Sequence, residues 1–292
     1  MRKRTFGVWW STNALDRDGL IRHAEQAERL GYDSLWFGES ASYEALALAG
    51  FFLARTSRIR VSTGIANIYA RDALAAAAGH DSLNRLYGGR FMLGLGVSHA
   101  PLVEGRRKHT YLAPIPTMRA YLEAMAAAPL EPVLKLAERQ VVLAALGPKM
   151  LTLARDMTQG AHPYNVTPEH TAEARRIMGP QAFLAVEQKI CFTTDAQVAR
   201  STASTYMKRY FALPNYCNNW RRLGFTETDY AGPGSNRLLD AMVVWGKEAD
   251  IRKAIDAHYA AGADEVCIQP ISPGGGVAAD ARALAAFAPG GG

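Results

Sequence analysis

Short apolar runs alternate with longer segments of helical spacing along almost the whole chain. Thr5-Phe6-Gly7-Val8-Trp9-Trp10 is the first such run and reads as a buried strand. From Leu15 to Leu30 the apolar positions recur every three or four residues. Leu20, Ile21, Ala24, Ala27 and Leu30 share a face, with arginines and glutamates opposite. Gly31 is placed to end that helix, and Asp33-Ser34-Leu35-Trp36-Phe37 forms the next strand. A second helix is expected over Ala45 to Ala54. The punctuation of helix, glycine, one or two residues, then strand returns at Tyr87-Gly88-Gly89-Arg90, Thr158-Gln159-Gly160-Ala161 and Ala261-Gly262-Ala263-Asp264. Strands are therefore predicted at residues 5–10, 33–38, 58–64, 90–96, 141–146, 160–164, 183–191 and 264–269. Eight strands alternating with helices imply a parallel sheet with helical crossovers. At 292 residues, near the ~250 typical of the architecture, they predict a closed (β/α)8 TIM barrel forming one domain over residues 1–292.

Two segments break the pattern. Residues 100–116 carry Pro101, Arg106-Arg107-Lys108-His109, Pro114 and Pro116, and read as a loop after the fourth strand. Residues 213–236 are rich in proline, asparagine and glycine and read as an excursion with one short helix between strands seven and eight. Tyr216, Trp220 and Phe225 within it favour an insertion packed as a lid. The tail, Pro289 to Gly292, is expected to fray.

Composition narrows the function classes. No apolar run approaches the ~20 residues of a membrane helix. Met1-Arg2-Lys3-Arg4 is basic, but Thr5 to Trp10 is too short for a signal-peptide core, so a cytoplasmic protein is expected. Cys191, Cys217 and Cys267 have neither zinc nor disulfide spacing and are expected to be reduced and mostly packed. The net charge of +6 is not gathered into a basic, aromatic-interleaved run, which argues against nucleic acid and suits an anionic cofactor or substrate. The sequence has no GxSxG elbow, no HExxH and no carboxylate cluster for a metal, and Gly94-Leu95-Gly96 lacks the third glycine of a dinucleotide fingerprint.

The chemistry-bearing residues collect where the predicted strands end. His99 follows Gly94-Leu95-Gly96-Val97-Ser98 and is a candidate general acid or base; the alternative is a loop histidine bonded to backbone. Glu39 and Ser40 end strand two, with Glu39 either a ligand contact or part of a helix start. Leu146-Gly147-Pro148-Lys149 opens a helix after strand five, where free N–H groups, the helix dipole and Lys149 would attract a phosphate; a plain strand-to-helix turn is the alternative. In Ala161-His162-Pro163-Tyr164-Asn165, His162 and Tyr164 either reach phosphate or substrate or belong to a turn capped by Thr167-Pro168-Glu169. Of Glu187 and Lys189, one is expected inside the barrel and the other against the helices. Asn67 and Tyr69 follow strand three. Trp9, Trp10 and Trp36 are expected either to wall the pocket or to fill the core. The alanine-rich stretch Leu74 to Gly79 either packs on its own barrel or supports a homodimer.

Three motifs in order now carry a resemblance. Gly31-Tyr32-Asp33-Ser34-Leu35-Trp36-Phe37-Gly38-Glu39, Arg55-Thr56-Ser57-Arg58-Ile59-Arg60-Val61 and Gly89-Arg90-Phe91-Met92-Leu93-Gly94-Leu95-Gly96 resemble the luciferase-like monooxygenase superfamily. The following Gly-Val-Ser-His-Ala-Pro is similar to a coenzyme F420-dependent oxidoreductase group within it. The resemblance implies a flavin-type ring across the C-terminal mouth, with contacts at Gly64, Ile65, Ala66, Asn67, Gly96 and Ser98 and a non-proline cis peptide in Thr63-Gly64-Ile65-Ala66. It also implies a phosphate near Gly147, Pro148, Lys149 and His162. Hydride transfer at the deazaflavin C5 to or from a small organic substrate is the implied activity, with His99 and Glu39 as catalytic candidates. Where relatives carry an acidic residue followed by histidine, this chain has Glu39-Ser40, which disfavours a sugar-phosphate dehydrogenase. An FMN-dependent monooxygenase on the same barrel and a non-catalytic ligand-binding barrel are the competing expectations.

Overall fold

The computed structural model describes residues 3–39, 42–131 and 138–289. Ser40 and residues 290–292 of the predicted tail lie outside the described residues, as do Met1 and Arg2. The first half of the chain runs β1 (Thr5–Trp10), α1 (Arg17–Arg29), β2 (Ser34–Phe37), α2 (Ala45–Arg55), β3 (Arg60–Thr63), β4 (Ala66–Asn67), α3 (Ala73–Leu86) and β5 (Phe91–Gly96). It continues through α4 (Ala100–Gly105), α5 (Pro114–Ala126), β6 (Val141–Leu143), α6 (Pro148–Met157), β7 (Gly160–Ala161), α7 (Pro168–Met178) and β8 (Phe183–Cys191). The last part holds α8 (Ala196–Met207), α9 (Pro214–Arg222), α10 (Asn236–Met242), β9 (Val243–Trp245), α11 (Glu248–Ala260), β10 (Glu265–Pro270) and α12 (Ala281–Ala286).

All pairings are parallel, and β10 bonds to both β1 and β8, so the sheet closes into an eight-stranded (β/α)8 barrel. β3 and β4 are one barrel strand interrupted at Gly64–Ile65, whose peptide bond is cis, as the resemblance implied. The glycine caps are also present: Gly31 and Gly262 have φ of 86° and 104° where helices α1 and α11 turn into strands.

Side chains alternate along each strand, and this parity sorts the core. Trp9, Trp36, Met92, Val142, Phe183, Ala185 and Cys267 pack inside the barrel. Val8, Trp10, Leu35, Phe37, Leu184, Val186 and Ile190 pack between barrel and helices. Trp9 and Trp36 thus fill the interior, whereas Trp10 faces outward and donates to Val277 O at 3.1 Å. The same parity corrects the expectation for Glu187 and Lys189: two residues apart, both point inward, and they form a buried ion pair at 2.9 Å.

Three further expectations change. Residues 100–116 are not a plain loop, because α4 and the start of α5 lie there; Pro101 and Pro114 sit in the first helical turns, where proline's missing N–H costs nothing. The strands predicted to run to residues 146 and 164 stop at Leu143 and Ala161, beyond which the chain splays to line a cavity. The insertion between β8 and β10 is larger than predicted: it adds α10 and the short β9, which pairs with Lys189–Cys191. Trp220, Tyr216 and Phe225 pack with Leu238, Leu239 and Met242 into a second apolar core under it. Among the described residues, no helix is long and apolar enough to cross a membrane.

Candidate active site

The barrel strands and the insertion enclose a cavity of about 560 Å³ at the C-terminal mouth. Its floor is built at the level of the backbone. A Cβ on Gly96 would stand 2.5 Å from Ile65 Cδ1, and one on Gly64 would stand 2.6 Å from Trp9 Nε1. Glycine at both positions therefore lets β5, the cis-linked turn and Trp9 pack closely into one surface. Trp9 Nε1 donates to Gly64 O at 3.1 Å and fixes that surface from below. Ile65 and Gly96 line the cavity, while Ala66 and Asn67 are buried behind it.

Glu39 belongs to this support. Its carboxylate accepts from Asn67 N at 2.7 Å and is ion-paired with Arg71, which also reaches Glu44. It is a buried, fully engaged group and is not among the cavity-lining residues. Asn67 Oδ1 accepts from Tyr69 N at 2.9 Å, and the Tyr69 hydroxyl accepts from Leu112 N at 3.0 Å.

His99 stands in the cavity wall at the N-terminus of α4, its ring 5.8 Å from that of Tyr216. Burial pushes its pKa below the ordinary histidine value, and a side-chain hydrogen bond with Asn215 opposes that shift. Ser98 lines the cavity beside it with φ of 58°. His162 lines the cavity and is almost fully buried. Its ring stacks on Trp36 at 4.2 Å, and Nδ1 donates to Ala185 O at 3.1 Å. That bond fixes the tautomer and leaves Nε2 as a buried acceptor without a partner. Burial lowers the His162 pKa to about 4, so the ring is neutral near pH 7. Tyr164 also lines the cavity; its hydroxyl donates to Gln269 Oε1 at 3.0 Å and lies 2.9 Å from the Tyr210 hydroxyl, over the buried Lys189.

Gly147, Pro148 and Lys149 open α6 at one flank, with no side-chain cap on the helix. Sequence reasoning missed what faces them. Arg222, the last residue of α9, and Asn219, three residues before it, bring a guanidinium and a carboxamide to that flank. A Cβ on Gly147 would lie 3.2 Å from Arg222 Nη1. Arg222 donates to Leu146 O and to Asn219 Oδ1, each at 2.7 Å. Asn219 is 2% exposed, and its Nδ2 has no partner. The only local signal was the helical spacing of Asn215, Asn219 and Arg222 within the excursion. Thr167 does not cap α7 with its side chain.

These features suit a ring bearing an anionic tail: a floor kept open by glycines, an imidazole at the wall, and a cationic, donor-rich flank at a helix N-terminus. Among the described residues, no group of three or more metal-ligating side chains is assembled.

Comparison with known proteins agrees with the architecture. The model of the luciferase-like monooxygenase family matches residues 5–265. A Mycobacterium tuberculosis protein named as a coenzyme F420-dependent oxidoreductase is 30% identical over 117 residues, covering 40% of this chain and 33% of that protein. The 4-hydroxyprotoasukamycin monooxygenase of Streptomyces nodosus subsp. asukaensis is 36% identical over 84 residues, covering 27% and 23%. The chain spans less than two thirds of the length of the curated relatives it matches. The coenzyme F420-dependent tetrahydromethanopterin reductase of Methanopyrus kandleri superposes with a TM-score of 0.73 at 16% identity, covering 98% of this chain and 97% of that one.

Proposed function

Because the chain belongs to the luciferase-like monooxygenase family, we propose that it is a coenzyme F420-dependent oxidoreductase acting on a small organic substrate. The observation that carries the reading is the glycine-floored cavity with His99 in its wall and Lys149 and Arg222 in its lining. The relative named for coenzyme F420 supports the choice of deazaflavin.

Ile65 and Gly96 would hold the ring of the cofactor, and Gly147, Lys149 and Arg222 would hold its phosphate. When bound, coenzyme F420 supplies hydride donation or acceptance at its C5. Neutral His99 takes the proton of a substrate hydroxyl at an imidazole nitrogen when the substrate is oxidised and returns it when the carbonyl is reduced. Asn215 orients that ring through its hydrogen bond. The α9 segment of the insertion, carrying Tyr216, covers the cavity and limits water.

A second reading is an FMN-dependent monooxygenase on the same barrel, favoured by the monooxygenase relative. Fluorescence titration with F420 and, separately, FMN tests the two. Tighter binding of F420 is the expected outcome. Preference for FMN would replace hydride transfer with oxygenation, and binding of neither would leave a non-catalytic barrel.

A further inference from the structure

A second cavity, of about 310 Å³, lies between α8 and the chain that follows β10. It shares no lining residue with the cavity that holds His99. One wall is a single face of α8 and the 3-10 turn after it. Ser201, Thr202, Thr205, Tyr206 and Arg209 recur there at the spacing of helical neighbours, and each carries a hydroxyl or a guanidinium. The other wall is Gly274–Gly276, with φ of 82°, 96° and 150°, a backbone course that suits glycine alone. The two walls are joined where Gly274 N donates to Thr202 Oγ1 at 3.0 Å. A Cβ on Gly274 or Gly275 would meet no atom within 4 Å, so the space over that loop is open rather than filled with protein.

Arg209 is the one charged side chain among the described lining residues. Its guanidinium lies 4.3 Å from the centre of the Tyr206 ring and 5.0 Å from that of Tyr210, which holds the planar fork in place. A hydrogen bond with the Tyr206 hydroxyl fixes it further. Tyr206 is itself anchored, since its hydroxyl accepts from Gln269 Nε2 while Gln269 Oε1 accepts from Tyr164 at 3.0 Å. Arg200, Arg221 and Arg237 each hold a carboxylate, whereas Arg209 pairs with none among the described residues. A guanidinium has five N–H donors, so the bond to Tyr206 leaves most of them for an acceptor brought from outside.

We propose that this cavity is a second ligand site, which takes the oxyanion of a small polar molecule, a phosphate or carboxylate group, on Arg209. The rest of the ligand lies against the α8 hydroxyls and the glycine loop. The pairing is the bidentate one that a guanidinium makes with two oxygens of such a group. The site stands apart from the cofactor reading, because neither Lys149 nor Arg222 belongs to it.

The test uses protein labelled with nitrogen-15 at glycine, whose amide signals separate the two cavities. Gly274–Gly276 report on this one, and Gly96 and Gly147 on the other. Inorganic phosphate and, separately, acetate are titrated at an ionic strength held constant with chloride. The loop signals should move along a saturating curve, and the anion that saturates them at lower concentration identifies the group bound. Thr205→Glu sets a carboxylate four residues before Arg209 on the same exposed face, where it occupies the guanidinium. That change, like Arg209→Met, should weaken anion binding at the loop about tenfold or more. Thr205→Gln, of the same shape without the charge, should stay within about threefold of the parent, as should Arg222→Ala in the other cavity. The Thr205 pair keeps the test decisive if Arg209→Met disturbs the glycine spectrum before anion is added. Loop signals that shift without saturating, a Thr205→Glu variant that titrates like Thr205→Gln, or a loop response lost with Arg222→Ala would each overturn the proposal.

Discussion

Lowering the pH from 7.5 to 5 should destabilise this protein through three buried histidines. His23, His162 and His258 are each 6% exposed or less, and burial lowers each pKa from 6.5 to about 4. The unfolded chain, with histidines near 6.5, binds more protons than the folded one between those values, so stability falls as pH drops through that window. For one such group the loss between pH 7.5 and 5 is about 2 kcal/mol, and for three independent groups it is about 6 kcal/mol. Carboxylates held down by partners, such as Glu265 and Asp81, are ionised in both states above pH 5 and contribute little in this window. With an unfolding entropy proportional to 292 residues, 6 kcal/mol corresponds to a melting-temperature decrease of about 10 °C. Calorimetry and urea titrations at pH 7.5, 6 and 5 would measure the loss. A His258→Gln variant, at a residue that does not line the cavity, should lose about 2 kcal/mol less across the same interval than the parent. Equal stability at pH 7.5 and 5, or a variant with the parent's full pH dependence, would refute the claim that these imidazoles are held neutral by burial.

Replacing Gly94 by alanine would set a Cβ 1.9 Å from the backbone oxygen of Thr63, which the strand cannot move aside; a loss of about 1–3 kcal/mol is expected in urea titration, and an unchanged midpoint would contradict it. Arg139 is fully buried and bidentate on Asp81, with both contacts at 2.9 Å, so Arg139→Met should cost about 3–5 kcal/mol by leaving the carboxylate unpaired. Restoration by a second change, Asp81→Leu, would confirm the cause, and a stable single variant would dismiss it. His99→Gln should lower kcat by roughly 10²–10⁴ while leaving F420 affinity unchanged. For substrate oxidation by the parent, the rate should fall as pH drops through a pKa below the ordinary histidine value, and the variant should lack that limb. A retained limb would move the proton role to another residue.

Much of the barrel was legible along the chain because its signals are local. Apolar runs, helical spacing and the glycines at positions 31, 89 and 262 each report on a few neighbouring residues, whereas Gly160 closes no helix and lies in β7. The placing of Gly147–Lys149 and of Ser98 and His99 at strand ends followed from the same order. Other readings failed where distant groups decide the outcome. Glu39 reads locally as a strand-end acid that either contacts a ligand or belongs to a helix start, but Arg71 and the Asn67 N–H, brought in by β4 and the turn after it, consume its carboxylate. The error at Glu187 and Lys189 was of another kind, since strand parity alone places both on one side. Arg222 lies 73 residues beyond Lys149 in the chain, and only the folding of α9 over the mouth brings them to one flank.

The sequence by itself determined the alternation of strands and helices, the points where they turn, and which strand ends carry titratable groups, because those depend on periodicity and on backbone freedom. Tertiary structure alone decided which of those groups face the cavity, which are consumed as supports, and where the cations gather. Those outcomes depend on burial and on partners supplied across the closed barrel, and neither is a property of any short stretch of chain.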